Sequence, residues 1–147
     1  MKVLILLFIS LSASASCPDL QGKYAHCLGE TGDIMAYYGL EITKSTSPAG
    51  IYSYDLSYQQ SDVLLFSKFV TDGQSRVSSE PSPIGAVKTF TTASCEAGAL
   101  VVVEQVSVPS GLLVENRREF RRSGDSVTIH TKASVLGKPL EDVLTCR

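Results

Sequence analysis

Nowhere does this chain carry apolar residues at helical spacing for three turns. Instead, stretches rich in Val, Ile, Thr, Tyr and Phe recur at short intervals, cut by Gly, Pro, Asp and Ser. That pattern predicts strands over 20–27, 35–45, 50–59, 62–70, 74–80, 86–94, 98–108, 112–122, 125–135 and 139–146. Connections this short join antiparallel neighbours, so the expected fold is an all-β antiparallel meander of about eight to ten strands, as a barrel or a sandwich.

Several connections have a physical cause. Asp72-Gly73 predicts a two-residue hairpin between 62–70 and 74–80, because Gly tolerates positive φ. Pro109-Ser110-Gly111 and Ser123-Gly124-Asp125 separate the next long strands. The prolines of Ser79-Glu80-Pro81-Ser82-Pro83 lack amide donors and cannot continue a central strand, which makes this segment an exposed loop. Alternation assigns faces: Tyr52, Tyr54, Leu56 and Tyr58 share one side of their strand, opposite Ser53, Asp55 and Ser57. Val127, Ile129 and Ala133 lie opposite His130 and Lys132. The 98–108 strand is apolar on both faces, as expected of a strand covered on both sides.

The N-terminus has the layout of a secretory signal peptide over residues 1–15. Lys2 supplies the charge, Val3 to Ile9 the apolar stretch, and Ala13-Ser14-Ala15 the small-x-small cleavage site. The apolar run is far shorter than the roughly 20 residues of a membrane-spanning helix, and no later transmembrane segment is visible. Cleavage leaves residues 16–147 as a single β domain, exported to a periplasmic or extracellular compartment. That domain holds Cys17, Cys27, Cys95 and Cys146, an even set suited to two disulfides in an oxidising environment. A lipid-attachment signal would carry an aliphatic residue where Ser14 stands, and lipidating Cys17 would strand one thiol.

Charge and residue types narrow the function classes. The formal net charge is −2, and −3 once Lys2 is removed, which gives no reason to expect a nucleic-acid partner. The charges of Arg117-Arg118-Glu119-Phe120-Arg121-Arg122 divide between two faces at strand periodicity, so they form no basic stripe. His26 and His130 are the only histidines; neither has a zinc-like spacing or a Ser-His-Asp context. No metal site, cofactor motif or catalytic motif stands out, and an enzyme is the weakest reading.

The most informative polar set lies in 98–122. Folding this hairpin about Pro109-Ser110-Gly111 sets Val106 against Val114 and Glu104 against Asn116, with Arg118 opposite Val102 and diagonal to Glu104. Leu100, Val102, Val106 and Phe120 share that face, which suggests that it points inward. Arg118 could then anchor a ligand carboxylate or phosphate by a forked hydrogen bond, or form an internal ion pair with Glu104. Tyr52, Tyr54 and Tyr58, with Tyr37 or Tyr38, could line a ligand cavity or simply fill a core.

Three features resemble the calycin group, the small meander barrels of lipocalins and fatty-acid-binding proteins. Leu20-Gln21-Gly22-Lys23-Tyr24 opens the domain much as a Gly-x-Trp segment opens a lipocalin barrel, although Tyr24 stands in place of Trp. About ten short strands fill the remaining chain, and Arg121-Arg122-Ser123-Gly124-Asp125-Ser126-Val127 forms a hairpin familiar in style. Leu28 to Ile34 is too short for the two-helix lid of fatty-acid-binding proteins. The resemblance implies a closed, lipocalin-like barrel that binds an apolar or amphipathic small ligand, lipid or fatty-acid-like, with Arg118, Glu104, Asn116, Tyr52, Tyr54 and Tyr58 as candidate ligand contacts. The alternative is a protein-binding module, such as a hydrolase inhibitor, acting through Gly29-Glu30-Thr31-Gly32-Asp33 and the Ser79 to Pro83 loop. If ten strands close, the last runs antiparallel to the first, which favours Cys17–Cys146 and leaves Cys27–Cys95.

Overall fold

Ten strands form, each within a few residues of its predicted position. A computed structural model describes residues 16–30, 37–83 and 85–147, apart from the side chains of Tyr37, Leu112 and Leu113; the signal peptide expected over 1–15 and the Thr31 to Asp33 part of the candidate loop lie outside the described residues. The strands are β1 (Gly22–Gly29), β2 (Tyr37–Thr46), β3 (Tyr52–Gln60), β4 (Val63–Val70), β5 (Arg76–Glu80), β6 (Val87–Glu96), β7 (Ala99–Val108), β8 (Gly111–Ser123), β9 (Ser126–Val135) and β10 (Lys138–Cys146). All pair antiparallel in one curled sheet of order β4-β3-β2-β1-β10-β9-β8-β7-β6-β5. No helix among the described residues is long and apolar enough to cross a membrane.

The first and last strands pair, so the sheet curls into a barrel, but β4 and β5 stand at its two ends and closure stops short there. The hairpin predicted at Asp72-Gly73 is therefore a turn without a hairpin. Gly73 does adopt positive φ (69°), yet its N–H donates to the Ala93 carbonyl on β6, while Thr71 N–H extends the β3 ladder through Tyr52 O. The two sides of the turn thus bond to different neighbours. Asp72 fastens the exit: its Oδ1 accepts from Gln74 N–H, and Arg76 forks onto both carboxylate oxygens at 3.0 and 2.8 Å. β4 is held beside β6 at this end, and β5, exposed along its whole length, pairs with β6 alone.

The predicted disulfide pairing is corrected. Cys27 bonds Cys146, and Cys17 bonds Cys95. The premise that β1 and β10 run antiparallel holds, but their ends are not level: Cys27 faces Cys146 directly, with a Cα–Cα distance of 3.9 Å. Barrel strands must tilt and stagger to curl, and this stagger leaves the first half of β1 beyond the end of β10. The segment before β1 then crosses the end of the barrel, where Cys17 meets Cys95 at the end of β6.

That crossing segment is a plug. Leu20 is fully buried in a core with Tyr24, Leu40, Ile42, Tyr54, Phe69, Leu100 and Phe120. Its backbone polar groups are met by the barrel wall: Tyr54 donates to Pro18 O, Tyr24 to Leu20 O, Lys44 to Cys17 O and Arg122 to Gln21 O. Burial, with a smaller push from the Asp19 charge, holds the Tyr54 phenol well above its ordinary range; burial also raises Tyr24, against the opposing pull of Arg122. Both phenols therefore stay protonated donors at any physiological pH.

β7 is buried on both faces, as its composition predicts. Leu100 and Val102 point into the core, and Ala99 and Val101 are covered from outside. Around Val101 the outer face carries an ion-pair chain, Glu96–Arg117–Glu119–Arg121, whose long stems shield the valine. This chain takes the outward half of the arginine-rich run, and Arg118 and Arg122 take the inward register.

Two outcomes test this architecture. Leu20→Ala removes the apolar part of the plug and is expected to lower stability by about 2–5 kcal/mol, read from urea unfolding at constant m-value. In an NMR titration the Asp72 carboxyl is expected to titrate near its lowered value of about 2, the Arg76 fork being the first cause and the Gln74 amide the second. Because that value lies below the roughly 3.9 of an unfolded Asp, the turn's contribution is present above about pH 4 and is lost as pH falls through about 2. Arg76→Ala should return the midpoint toward the ordinary value.

Candidate functional site

Inward positions follow from register. β7 contributes its even residues, β8 its even residues and β9 its odd ones, so that Val102, Arg118 and Thr131 form one row across the wall, and Glu104, Asn116 and Ala133 the next. Ladder pairing at the site matches the sequence expectation, although β8 starts one residue early. The chain turns at Pro109-Ser110, with Val108 opposite Gly111, and a register shift beyond Val106 restores Val106 to Val114. The rows nearer the plug are apolar, with Leu100, Phe120, Ile129 and Leu144. Above them, away from the plug, come the polar residues of the cavity wall.

The predicted diagonal contact is present. Arg118 Nη2 lies 2.7 Å from Glu104 Oε2, with side chains 17% and 24% exposed. Asn116 Nδ2 donates to the same carboxylate oxygen at 3.5 Å. The Arg118 guanidinium also sits over the rings of Phe69 (5.5 Å) and Phe120 (5.9 Å), which themselves pack with centroids 6.3 Å apart. Cation–π attraction of about 0.5–2 kcal/mol thus offsets part of the cost of withdrawing the charge from water. The cost is not fully met: Arg118 Nε and Asn116 Oδ1 are buried and find no partner among the described residues. Buried polar atoms without a hydrogen-bond partner are rare in folded proteins, and each calls for a physical explanation.

These groups border a cavity of about 120 Å³, completed by Leu40, Leu56, Tyr58, Ile129, Thr131 and Leu144. Glu104 also lines a larger groove of about 460 Å³ at the β4–β5 seam, with Phe69, Arg76, Thr89 and Thr91. The burial gradient along the barrel is steep. Leu20 at the plugged pole is fully buried, whereas Val63 and Leu140, in inward register near the other pole, are 57% and 58% exposed.

Of the three tyrosines, the structure brings only Tyr58 to this cavity. All three share the predicted face, but Tyr54 is committed to the plug through Pro18 O, and Tyr52 lies at the plugged pole with Lys44 Nζ 4.3 Å from its ring centroid. Tyr38 does not join them: it is exposed and pairs with Gln59 beyond a register shift at the positive-φ Gly39. Thr131, Ile129 and Leu144 were not anticipated as lining residues. The signal for the first two was present, since a turn at Gly124-Asp125 sets Arg118 opposite Thr131, whereas Leu144 needs the β9–β10 register as well. His130 and Lys132 lie on the face opposite Ile129 and Ala133, as the alternation predicts, and His130 contacts Glu141 at 2.6 Å. No group of three metal-ligating side chains occurs among the described residues.

No protein-family model, curated protein or solved structure matches this chain. What the fold shows is an all-antiparallel, strongly curled, barrel-like sheet.

Arg118→Ala leaves the Glu104 carboxylate half-buried and unpaired, and is expected to cost about 1–3 kcal/mol in urea unfolding. Replacing both Arg118 and Glu104 by Leu should recover most of that loss, because the desolvated charges leave together.

Proposed function

We propose that this is an exported binding protein that takes one small amphipathic molecule into the barrel interior, with its polar head at Arg118, Glu104 and Asn116 and its apolar part among Leu40, Leu56, Ile129 and Leu144. The observation that carries this reading is the pair of unpartnered buried polar atoms beside a cavity floored by apolar side chains. A barrel that served only as a rigid scaffold would do better with an apolar interior there, since each unpaired buried polar group costs about 1–3 kcal/mol. The two disulfides suit an oxidising, extracytoplasmic compartment. Ligand pockets usually span roughly 300–1,000 Å³. A cavity of about 120 Å³ suits a short molecule, or the head of a longer one that continues toward the seam groove sharing Glu104.

A second reading, a protein-binding module acting through the pole opposite the plug, rests on a different observation. Leu28, Tyr38, Val63, Leu64 and Leu136 are each more than half exposed near the strand ends of that pole, which also carries Glu30 and the Ser79 to Pro83 loop. Apolar side chains displayed together at one end mark an interaction surface.

Native mass spectrometry of the oxidised protein, before and after organic extraction, separates the two. The carrier reading expects a stoichiometric small-molecule adduct that extraction removes and that Thr131→Trp, which fills the cavity, prevents. An adduct-free protein whose cross-linking to an envelope partner is lost on changing Leu64 and Leu136 to Glu would instead establish the second reading.

A further inference from the structure

The charge around Arg118 bears on which head group the cavity accepts. The guanidinium is already matched by Glu104 at 2.7 Å. A second carboxylate, Asp142, occupies the same inward row two strands away, through Thr131. Among the residues that line the cavity, Arg118 is the one cation and Glu104 the one anion, so no unmatched positive charge is left for an anionic ligand. An incoming carboxylate or phosphate would share one guanidinium with Glu104 in a partly desolvated site, where like charges repel far more strongly than in water.

The unpartnered atoms are complementary. Arg118 Nε offers a donor, and Asn116 Oδ1 offers an acceptor. The amide orientation is set by its neighbour: Asn116 Nδ2 faces Glu104 Oε2, and reversing it would press a carbonyl oxygen onto a carboxylate. Both residues line the cavity of about 120 Å³, room for a compact head group.

From this geometry we infer that the cavity selects an uncharged head that accepts one hydrogen bond and donates another, as an amide, a lactam or an undissociated acid does, and rejects the carboxylate or phosphate first expected of Arg118. The inference rests on the reading that the interior binds a small amphipathic molecule. A carbonyl oxygen would take the Arg118 Nε–H, and the adjoining N–H or O–H would donate to Asn116 Oδ1. An ammonium head lacks an acceptor for Nε and meets the guanidinium charge.

The test is an NMR titration of the ¹⁵N-labelled oxidised protein at pH 7 with hexanamide, hexanoate and hexylammonium, three probes with one tail length and different heads. Hexanamide is expected to bind at least tenfold more tightly than either ion and to shift the Arg118 Nε–H and Asn116 side-chain resonances. Glu104→Gln removes the competing carboxylate and should narrow or reverse the preference in favour of hexanoate. Hexanoate or hexylammonium binding the wild type as tightly as the amide, with cavity shifts at Ile129 and Leu144, would overturn the head-group inference while leaving interior binding intact. Failure of all three probes to perturb any cavity residue would overturn both.

Discussion

The stagger between the first and last strands is the constraint on which the rest of the structure depends. Cys27 and Cys146 face one another across β1 and β10 and are covalently joined, so the pairing that curls the sheet is fastened at a single register. With that register set, the first half of β1 overhangs β10 and the preceding segment must cross the barrel end. Leu20 becomes the base of the core, and Cys17 is delivered to Cys95. A plugged pole follows from this geometry and from no single motif.

The seam between β4 and β5 is the complementary feature. Both edge strands leave backbone groups unpaired, which invites association with other strands unless something discourages it. Here β5 is short and wholly exposed, and two prolines follow it closely. The Asp72–Arg76 fork and the Gly73–Ala93 hydrogen bond hold the turn so that β5 diverges from β4 instead of zipping onto it. Incomplete closure is thus built by specific hydrogen bonds, and it brings the Glu104 carboxylate within reach of a groove on the barrel wall.

Within the barrel, polarity is layered. Apolar rows near the plug give way to Arg118, Glu104, Asn116 and Thr131 at mid-height. The Arg118–Glu104 contact realises the internal ion pair, one of the two arrangements open from sequence, and both residues line the cavity. A guanidinium already neutralised, with its buried Nε–H left unbonded, differs as a recognition element from a bare cation.

Much of this was legible from residue order. Strand positions, the inward tyrosine face, the doubly covered β7 and the Glu104–Arg118 diagonal all follow from period-two alternation and from register carried across one short turn. Each is a relation between residues close in sequence. By itself the sequence determined these local ladders, because a turn of two or three residues allows few registers and a one-residue slip would expose the core face. Only the tertiary structure decided the stagger of β1 on β10, the partners of Cys17 and Cys27, the divergence of β4 from β5 and the diversion of Tyr54 from cavity to plug. Those depend on how far a sheet must shear to curl, a property of all ten strands together that no turn between neighbours encodes.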